Sequence, residues 1–421
     1  MDKTAHGEYG SRMSSRIPVR FLDRSTPPHI FTLVLLAGLS AAAMNIFLPS
    51  LPSMALYFNA DYRVLQLSVT LYLAVNAVLQ LAIGPLSDRF GRRPVLLWGF
   101  GLFVVFTIGI LVAPNVETFL AMRVGQSAVV VGMVLSRAIV RDMVPQDEAA
   151  SMIGYVTMGM ALVPMVAPVI GGALDELFGW QANFILLVLL GAGVTALTWF
   201  DLGETRAGDG SAGFRDQMRE APELLTSPRF WGYNCASMFS AGAFYAYLGG
   251  APYVGTDVFG LSPALLGFYF GAPAVGYVIG NAASGLYSVR YGVNAMVVVG
   301  AIISTSGLAA ALCLFYAGFE TVHVFFGFMI AVGLGNGLVI PNATAGMLSV
   351  RPRLAGTASG LGGAMMIGGG AVLSALAAAL LVPGAGAYPL IWMMAVSSLM
   401  SVVSIFVVIR RERQLGLGRP V

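Results

Sequence analysis

The chain has 421 residues, 57% of them hydrophobic and only 10% charged, and its mean hydropathy is +0.81. A soluble domain carries about a quarter charged residues, so this chain has too little charge to cover a water-facing surface, and a lipid bilayer is its expected solvent. The net charge of +3 says little as a total, and no nucleic-acid partner is expected. Cys235 and Cys313 stand far apart without metal-ligand spacing, and the three histidines are scattered. No metal site and no cofactor are therefore expected.

Residues 1–28 are polar and contain Arg12, Arg16, Arg20 and Arg24. No apolar core or small-residue cleavage site precedes the first long apolar run, so no cleaved signal peptide is predicted. A membrane span needs roughly 20 mostly apolar residues, because about 30 Å of hydrocarbon is crossed at 1.5 Å per residue. Twelve such spans are expected. In the first half they begin near Ile30, Val64, Val95, Thr118, Ala149 and Ala182, and in the second near Phe230, Pro263, Ala295, Val322, Leu354 and Tyr388. The longest polar interruption, Gly203 to Ser227, holds Glu204, Arg206, Asp209, Arg215, Asp216, Arg219 and Glu220. It divides the chain into an amino-terminal tail (1–28), a six-helix bundle (29–202), a linker (203–228), a second six-helix bundle (229–410) and a tail (411–421). The stretch Phe214 to Leu225 fits a short amphipathic surface helix.

Arginine placement sets the orientation. With the amino terminus in the cytoplasm, the inside segments hold Arg89, Arg92, Arg93, Arg141, Arg229, Arg290, Arg351, Arg353, Arg410, Arg411 and Arg413, together with the tail and linker arginines. The outside segments hold mostly acids, with Arg63 the main exception. Both termini are then cytoplasmic, and the chain is a multi-pass protein of the bacterial inner membrane.

The halves repeat one another. Gly84, Ser87, Arg89, Phe90 and Gly91 after the second span match Gly285, Ser288, Arg290, Tyr291 and Gly292 after the eighth, each pair 201 residues apart. Five matches at one offset imply a duplicated six-helix unit. The second copy has lost the acid, since Val289 stands where Asp88 stands in the first. The fold class is thus all-α, with twelve transmembrane helices in two pseudo-symmetric bundles. Nothing resembles a convergent nucleophile, base or metal set, so an enzyme is not expected.

GPLSDRFGRRPVLL, residues 84–97, resembles the signature loop of the major facilitator superfamily. Physically, Gly84 and Gly91 permit tight packing and a sharp turn. Asp88 can accept from helix-start amides or an arginine, and Arg89, Arg92 and Arg93 hold the loop inside. The resemblance implies that this cluster gates the cytoplasmic side; Arg141 and Asp142 lie within reach of joining it. Arg123 with Gln126 is similar to the family's intramembrane arginine motif, and an arginine inside a span is usually functional; an arginine snorkelling to the outer interface is the bland alternative. GMALVPMVAPVIGG, residues 159–172, resembles the antiporter motif of the fifth span through Gly159, Pro164, Pro168, Gly171 and Gly172. Prolines and glycines there permit a bend and close helix approach. NIFLPSLP (45–52), SRAIVRD (136–142) and GWQANF (179–184) resemble the bicyclomycin and chloramphenicol resistance (Bcr/CflA) branch. The branch implies a secondary active transporter that exports small amphiphilic drugs, phenicol-like or bicyclomycin-like, by proton antiport with alternating access. Protons and a small-molecule substrate are the implied partners, with function as a monomer. Export of an endogenous metabolite, such as an amino acid or dipeptide, is the alternative.

A transporter of this design places its substrate near the midplane between the halves. The polar and aromatic candidates are Asn45, Tyr72 and Asn76 from the first half and Asn234, Tyr245, Tyr269 and Asn336 from the second. Each also fits a plain interhelical hydrogen-bond role. The resemblance implies an aspartate where Asn45 stands. An amide there cannot titrate, which favours neutral or zwitterionic substrates over permanent cations.

Overall fold

The computed structural model describes residues 20–143, 156, 163–164, 166–205, 222, 224–351, 355–382 and 384–416, and of residues 141 and 355–357 the backbone alone. Gly159, the side chain of Arg141, Arg353, the span start near Ala149 and most of the linker lie outside the described residues.

The described chain is helical: α1 (Ile30–Asn45), α2 (Leu51–Tyr57), α3 (Tyr62–Phe90), α4 (Arg92–Leu111), α5 (Val116–Gln126), α6 (Val130–Met143), α7 (residues 166–178) and α8 (Gln181–Asp201) form the first half. α9 (Pro228–Tyr253), α10 (Pro263–Phe270), α11 (Ala272–Tyr291), α12 (Val293–Tyr316), α13 (Val322–Ser349), α14 (Ala355–Leu380) and α15 (Tyr388–Gln414) form the second. Among the described residues 10 helices are long and apolar enough to cross a membrane. Side-chain caps fix many of the starts. Asp61 accepts from the amide of Arg63, Asn115 from Thr118, and Ser227, Ser262 and Thr321 cap α9, α10 and α13; each satisfies an amide that lacks an intrahelical partner.

Three described spans are broken, one of them at Gly271 between α10 and α11, just before Pro273. The first passes through a 3-10 turn at Leu48–Ser50, where Pro49 and Pro52 remove two ladder donors. The fourth tightens into a 3-10 turn at Ser127–Val129, directly after Gln126. The last helix also runs past its expected end to Gln414, because Glu412 is buried against the bundle.

The repeat persists in the backbone. Gly91 links α3 to α4 at φ 95°, and Gly292 links α11 to α12 at φ 84°. Both sit in a region that L side chains rarely adopt. Gly84 does not fit the close-packing expectation: a methyl group there would meet nothing within 4 Å.

Large apolar side chains such as Trp98, Leu189, Leu286 and Phe406 are more than half exposed, as expected where lipid is the solvent. The buried core comes in two parts. The larger joins the first half (Leu33 to Leu202) to second-half residues such as Tyr247, Phe270, Phe325 and Leu390. The smaller, around Phe230, Tyr233, Val339, Met347 and Val408, lies at the end of the second half that carries the carboxy-terminal helix end.

Candidate functional site

The two ends of the molecule are built differently. At the end opposite the termini, side chains of the first half grip backbone groups of the second. Tyr62 Oη donates to the Gly249 carbonyl at 2.9 Å, and Gln66 Nε2 donates to the Ser374 carbonyl at 3.2 Å. Arg63 reaches the Leu381 carbonyl at 3.4 Å, and Glu176 Oε2 accepts from the Ala264 amide at 3.2 Å. The motif glycines of α7 work on two fronts. A side chain at Gly171 would overlap the Ile46 carbonyl of the broken first span, and one at Gly172 would overlap the Pro263 carbonyl of the second half. In return, Gly267 of α10 lies against the carbonyl of Pro168. Pro164 is half-buried in the same span. Asn183 fastens α8 to Ser50 and to the Gly171 carbonyl, and Asp175 accepts from Ser53 at 2.7 Å.

At the termini end the named bonds stay within each half. Arg92 is a hub: it pairs with Asp88 at 2.6 Å and with Asp142 at 3.0 Å, and also bonds Ser87. Glu204 accepts from the amides of Arg92 and Arg93, capping α4. Arg93 donates to the Trp199 carbonyl and lies 4.8 Å from that indole ring, and Arg89 lies over Phe90. Asp201 accepts from the amides of Leu22 and His29 and from Thr32 Oγ1. In the second half Glu412 gathers Arg229, Tyr233 and Asn294. Sequence reasoning grouped Asp88 and Asp142 with Arg141, whose side chain lies outside the described residues, whereas the structure pairs both acids with Arg92; Glu204, Asp201 and Glu412 were missed. Their only signal is an acid placed next to a span end.

Between these ends lie the predicted polar residues. Arg123 is 1% exposed. It donates to Gln126 and to the Ala43 carbonyl, and its guanidinium lies 4.2 Å from the rings of both Phe47 and Tyr72. It is a buried cation rather than a snorkelling one. The described ion pairs do not include it, so π faces, an amide and a carbonyl supply its compensation. Tyr72 therefore faces inward into the first half. Asn76, one turn on, accepts from Gln80, whose Oε1 lies 3.3 Å from where a Cβ on Gly363 of α14 would stand. Asn234 meets the same stretch of α14 from the other side: Nδ2 lies 2.9 Å from Met365 Sδ, and Oδ1 lies beside Gly362. Gln80, which bonds Asn76, and Asn234 thus stand beside Gly363 and Gly362 in turn. Asn45 donates to the Ala41 carbonyl of its own helix, and its Oδ1 has no partner among the described residues. Asn336 accepts from Ser240 at 2.5 Å within the second half. The Tyr245 ring packs against Gly370, while Tyr269 lies near the end opposite the termini, bonded to His323 and stacked on Phe326. The structure brings together Arg123 and Tyr72, and sets Asn234 and Gln80, the partner of Asn76, against neighbouring glycines of α14; it places Tyr269 apart from both.

The profile of the Major Facilitator Superfamily matches residues 33–371. The chain belongs to this superfamily. Among its relatives, a bicyclomycin resistance protein homolog of Haemophilus influenzae is 27% identical over 93% of the chain and 98% of the relative. Multidrug resistance protein D of Escherichia coli is 30% identical over 86% and 91%. A bacterial homolog of the human lysosomal transporter Spinster, in an inward-facing and occupied conformation, has the same fold, with a TM-score of 0.70 at 18% identity over 93% of this chain and 98% of that one. The superfamily is one of transporters, and the chain is a multi-pass membrane protein of the bacterial inner-membrane kind within the bicyclomycin and chloramphenicol resistance branch.

Proposed function

We propose that this superfamily member exports small amphiphilic drugs from the cytoplasm by alternating access, driven by inward proton movement, and that a single chain suffices. The termini end is the cytoplasmic face in this reading, which follows from arginine placement. The bundles 29–202 and 229–410 are the two moving bodies, joined by the linker 203–228, with tails 1–28 and 411–421 on the same face. Asn45, Tyr72, Asn76, Asn234, Tyr245 and Asn336 supply the substrate surface, and Asp88, Arg92 and Asp142 supply the cytoplasmic gate. The relatives named for bicyclomycin and multidrug resistance support the substrate class.

The observation that carries the reading is the asymmetry between the ends. Inter-half bonds and a shared apolar core close one end, while the named ion pairs at the other stay within each half. That is the arrangement of a transporter closed on one side and able to admit substrate from the other. The test is proton flux in proteoliposomes on adding a panel of neutral, zwitterionic and cationic drugs. Substrate-dependent flux is expected with neutral and zwitterionic members of the panel. Flux that no member changes would reject drug–proton antiport.

A further inference from the structure

A second arginine lies inside the fourth span, and unlike Arg123 it is exposed. Arg137 stands before the end of α6 at Met143, its Cα about 9 Å inside that end at 1.5 Å per residue. Ser136, Ala138, Ile139 and Val140 around it are buried. The charge of Arg137 acts on the hydroxyl of Tyr277, which belongs to α11 of the other half. The guanidinium therefore looks into the gap between the halves and not into lipid. An ionisable side chain that turns from a span into such a gap marks a substrate or ion path. The acid nearest to it on α6, Asp142, is turned to Arg92.

The facing surface of the second half is polar, aromatic and open. The hydroxyls of Tyr277 and of Tyr245 on α9 act on one another. Asn281 follows Tyr277 one turn nearer the termini end, and its Nδ2 donates to the Tyr277 carbonyl at 2.8 Å. Tyr245, Tyr277 and Asn281 are all half-buried. The Tyr72 hydroxyl is sealed without a partner, whereas the hydroxyls of Tyr245 and Tyr277 are not sealed. Neither α9, α11 nor α14 contains an Asp or Glu. The field that Arg137 sets up across the gap thus meets no acid on those helices, and it favours a negative group there and repels a positive one.

We propose that Arg137 and Tyr277 form a subsite, on the termini side of the gap, for the carboxylate of a net-anionic aromatic amphiphile. The carboxylate accepts from the guanidinium, whose fork matches its two oxygens, and from the Tyr277 hydroxyl. The ring of the ligand lies deeper, towards Tyr245. The proposal rests on the drug-export reading and extends its substrates to net anions, a class that the neutral and zwitterionic compounds do not include.

Naphthalene-2-carboxylate is the probe, its carboxamide the neutral counterpart and ethidium the cation. Binding to the purified full chain and efflux from proteoliposomes are both measured. The parent should bind the carboxylate about tenfold more tightly than the carboxamide, the scale of one hydrogen bond to a charged group. Added salt should shrink that preference, because water reaches the site. Arg137→Gln should abolish the preference by weakening the carboxylate alone, and Arg137→Lys should keep most of it. Asn281→Asp leaves Arg137 in place and sets an acid beside the subsite. It should weaken the carboxylate several-fold, leave the carboxamide as in the parent and strengthen ethidium. A parent without the preference, or a preference that survives Arg137→Gln, would overturn the subsite. Equal losses of carboxylate and carboxamide in both Arg137→Gln and Asn281→Asp mark a merely structural role and overturn it too. Efflux of the carboxamide or ethidium by a parent that shows no preference spares drug export while removing the subsite. The preference in binding, without efflux of any compound, upholds the subsite and overturns drug export.

Discussion

Removing two side chains of the first half should open the end opposite the termini. Tyr62→Phe deletes only the hydroxyl that lies 2.9 Å from the Gly249 carbonyl, and Gln66→Ala deletes the donor 3.2 Å from the Ser374 carbonyl. A neutral hydrogen bond contributes about 1 kcal/mol net. Gln66 Oε1 has no partner, so that carboxamide brings one bond and not two. The bonds end on different helices, α9 and α14, but Gln66 Nε2 also stands against Gly249, so their losses couple; together they amount to about 1–2 kcal/mol, a change of about 5- to 30-fold in the ratio of open to closed molecules. Spin labels at Leu177 and Leu265, which are 71% and 52% exposed, report the separation on either side of the Glu176–Ala264 contact. Cys235 and Cys313 are first replaced by serine. In lipid nanodiscs, double electron–electron resonance should show a longer-distance population growing at the expense of the parent's short one. Arg63→Ala should do less, since its contacts with the Leu381 carbonyl are long at 3.4 Å. A distance distribution identical to the parent's in the double variant would refute this account of the closed end.

Asp88→Asn should severely reduce efflux at normal membrane levels, because Arg92 keeps only Asp142 as an ion-pair partner; Val289→Asp, 92% exposed in the parent, should not restore it. Gly171→Ala should impair transport and insertion together, since its Cβ meets the Ile46 backbone, whereas Gly84→Ala should be silent in the same efflux assay. Glu412→Gln should cost about 3 kcal/mol and lower the thermal midpoint in detergent, because Arg229 is left without its charge partner in a largely buried place. Asn45→Asp should raise efflux of ethidium-like cations relative to a neutral phenicol and make transport depend on pH through the new carboxylate; strong cation export by the parent chain would sink that expectation.

What was legible in the sequence was local. Apolar run length alone put described helix starts within three residues of their expected places, and the caps Asp61, Asn115 and Thr321 explain the exact first residues. The 201-residue offset that pairs Gly91 with Gly292 returns as two left-handed turns. Asp88 and Asp142 could be grouped because each stands beside an arginine in an inside segment, Asp88 before Arg89 and Asp142 after Arg141, but the arginine that joins them in the structure is Arg92. The seam between the halves was not legible, since Tyr62, Gln66 and Arg63 bond to carbonyls of Gly249, Ser374 and Leu381, and a backbone carbonyl has no residue type to read. Gln66 still left a trace, a carboxamide in an otherwise apolar run. Tyr269 misled for the converse reason: an aromatic in a span shows its helix but not its depth, and His323 and Phe326 hold it near one end.

In the proposed alternating-access reading, the clamps at the termini end let each bundle keep its own helix ends together when the two part. In the first half Asp201, at the end of α8, bonds the chain around the start of α1 through Leu22, His29 and Thr32. In the second half Glu412, at the end of α15, bonds Arg229 and Tyr233 at the start of α9 and Asn294 at the start of α12. Each acid therefore ties the last helix of its bundle to the first. Lipid provides no hydrophobic drive to hold helix ends together, so a bundle whose end is not covered by its partner needs polar bonds of its own. At the other end the halves share a continuous apolar core and close backbone contacts through Gly172 and Gly267, and the bonds there cross from one half to the other. Exchanging the closed end for the open one breaks that crossing set and leaves both clamps intact. In the proposed alternating-access reading the moving parts are the two clamped bundles, and the first-half side chains that reach across are the ones expected to set the balance between states.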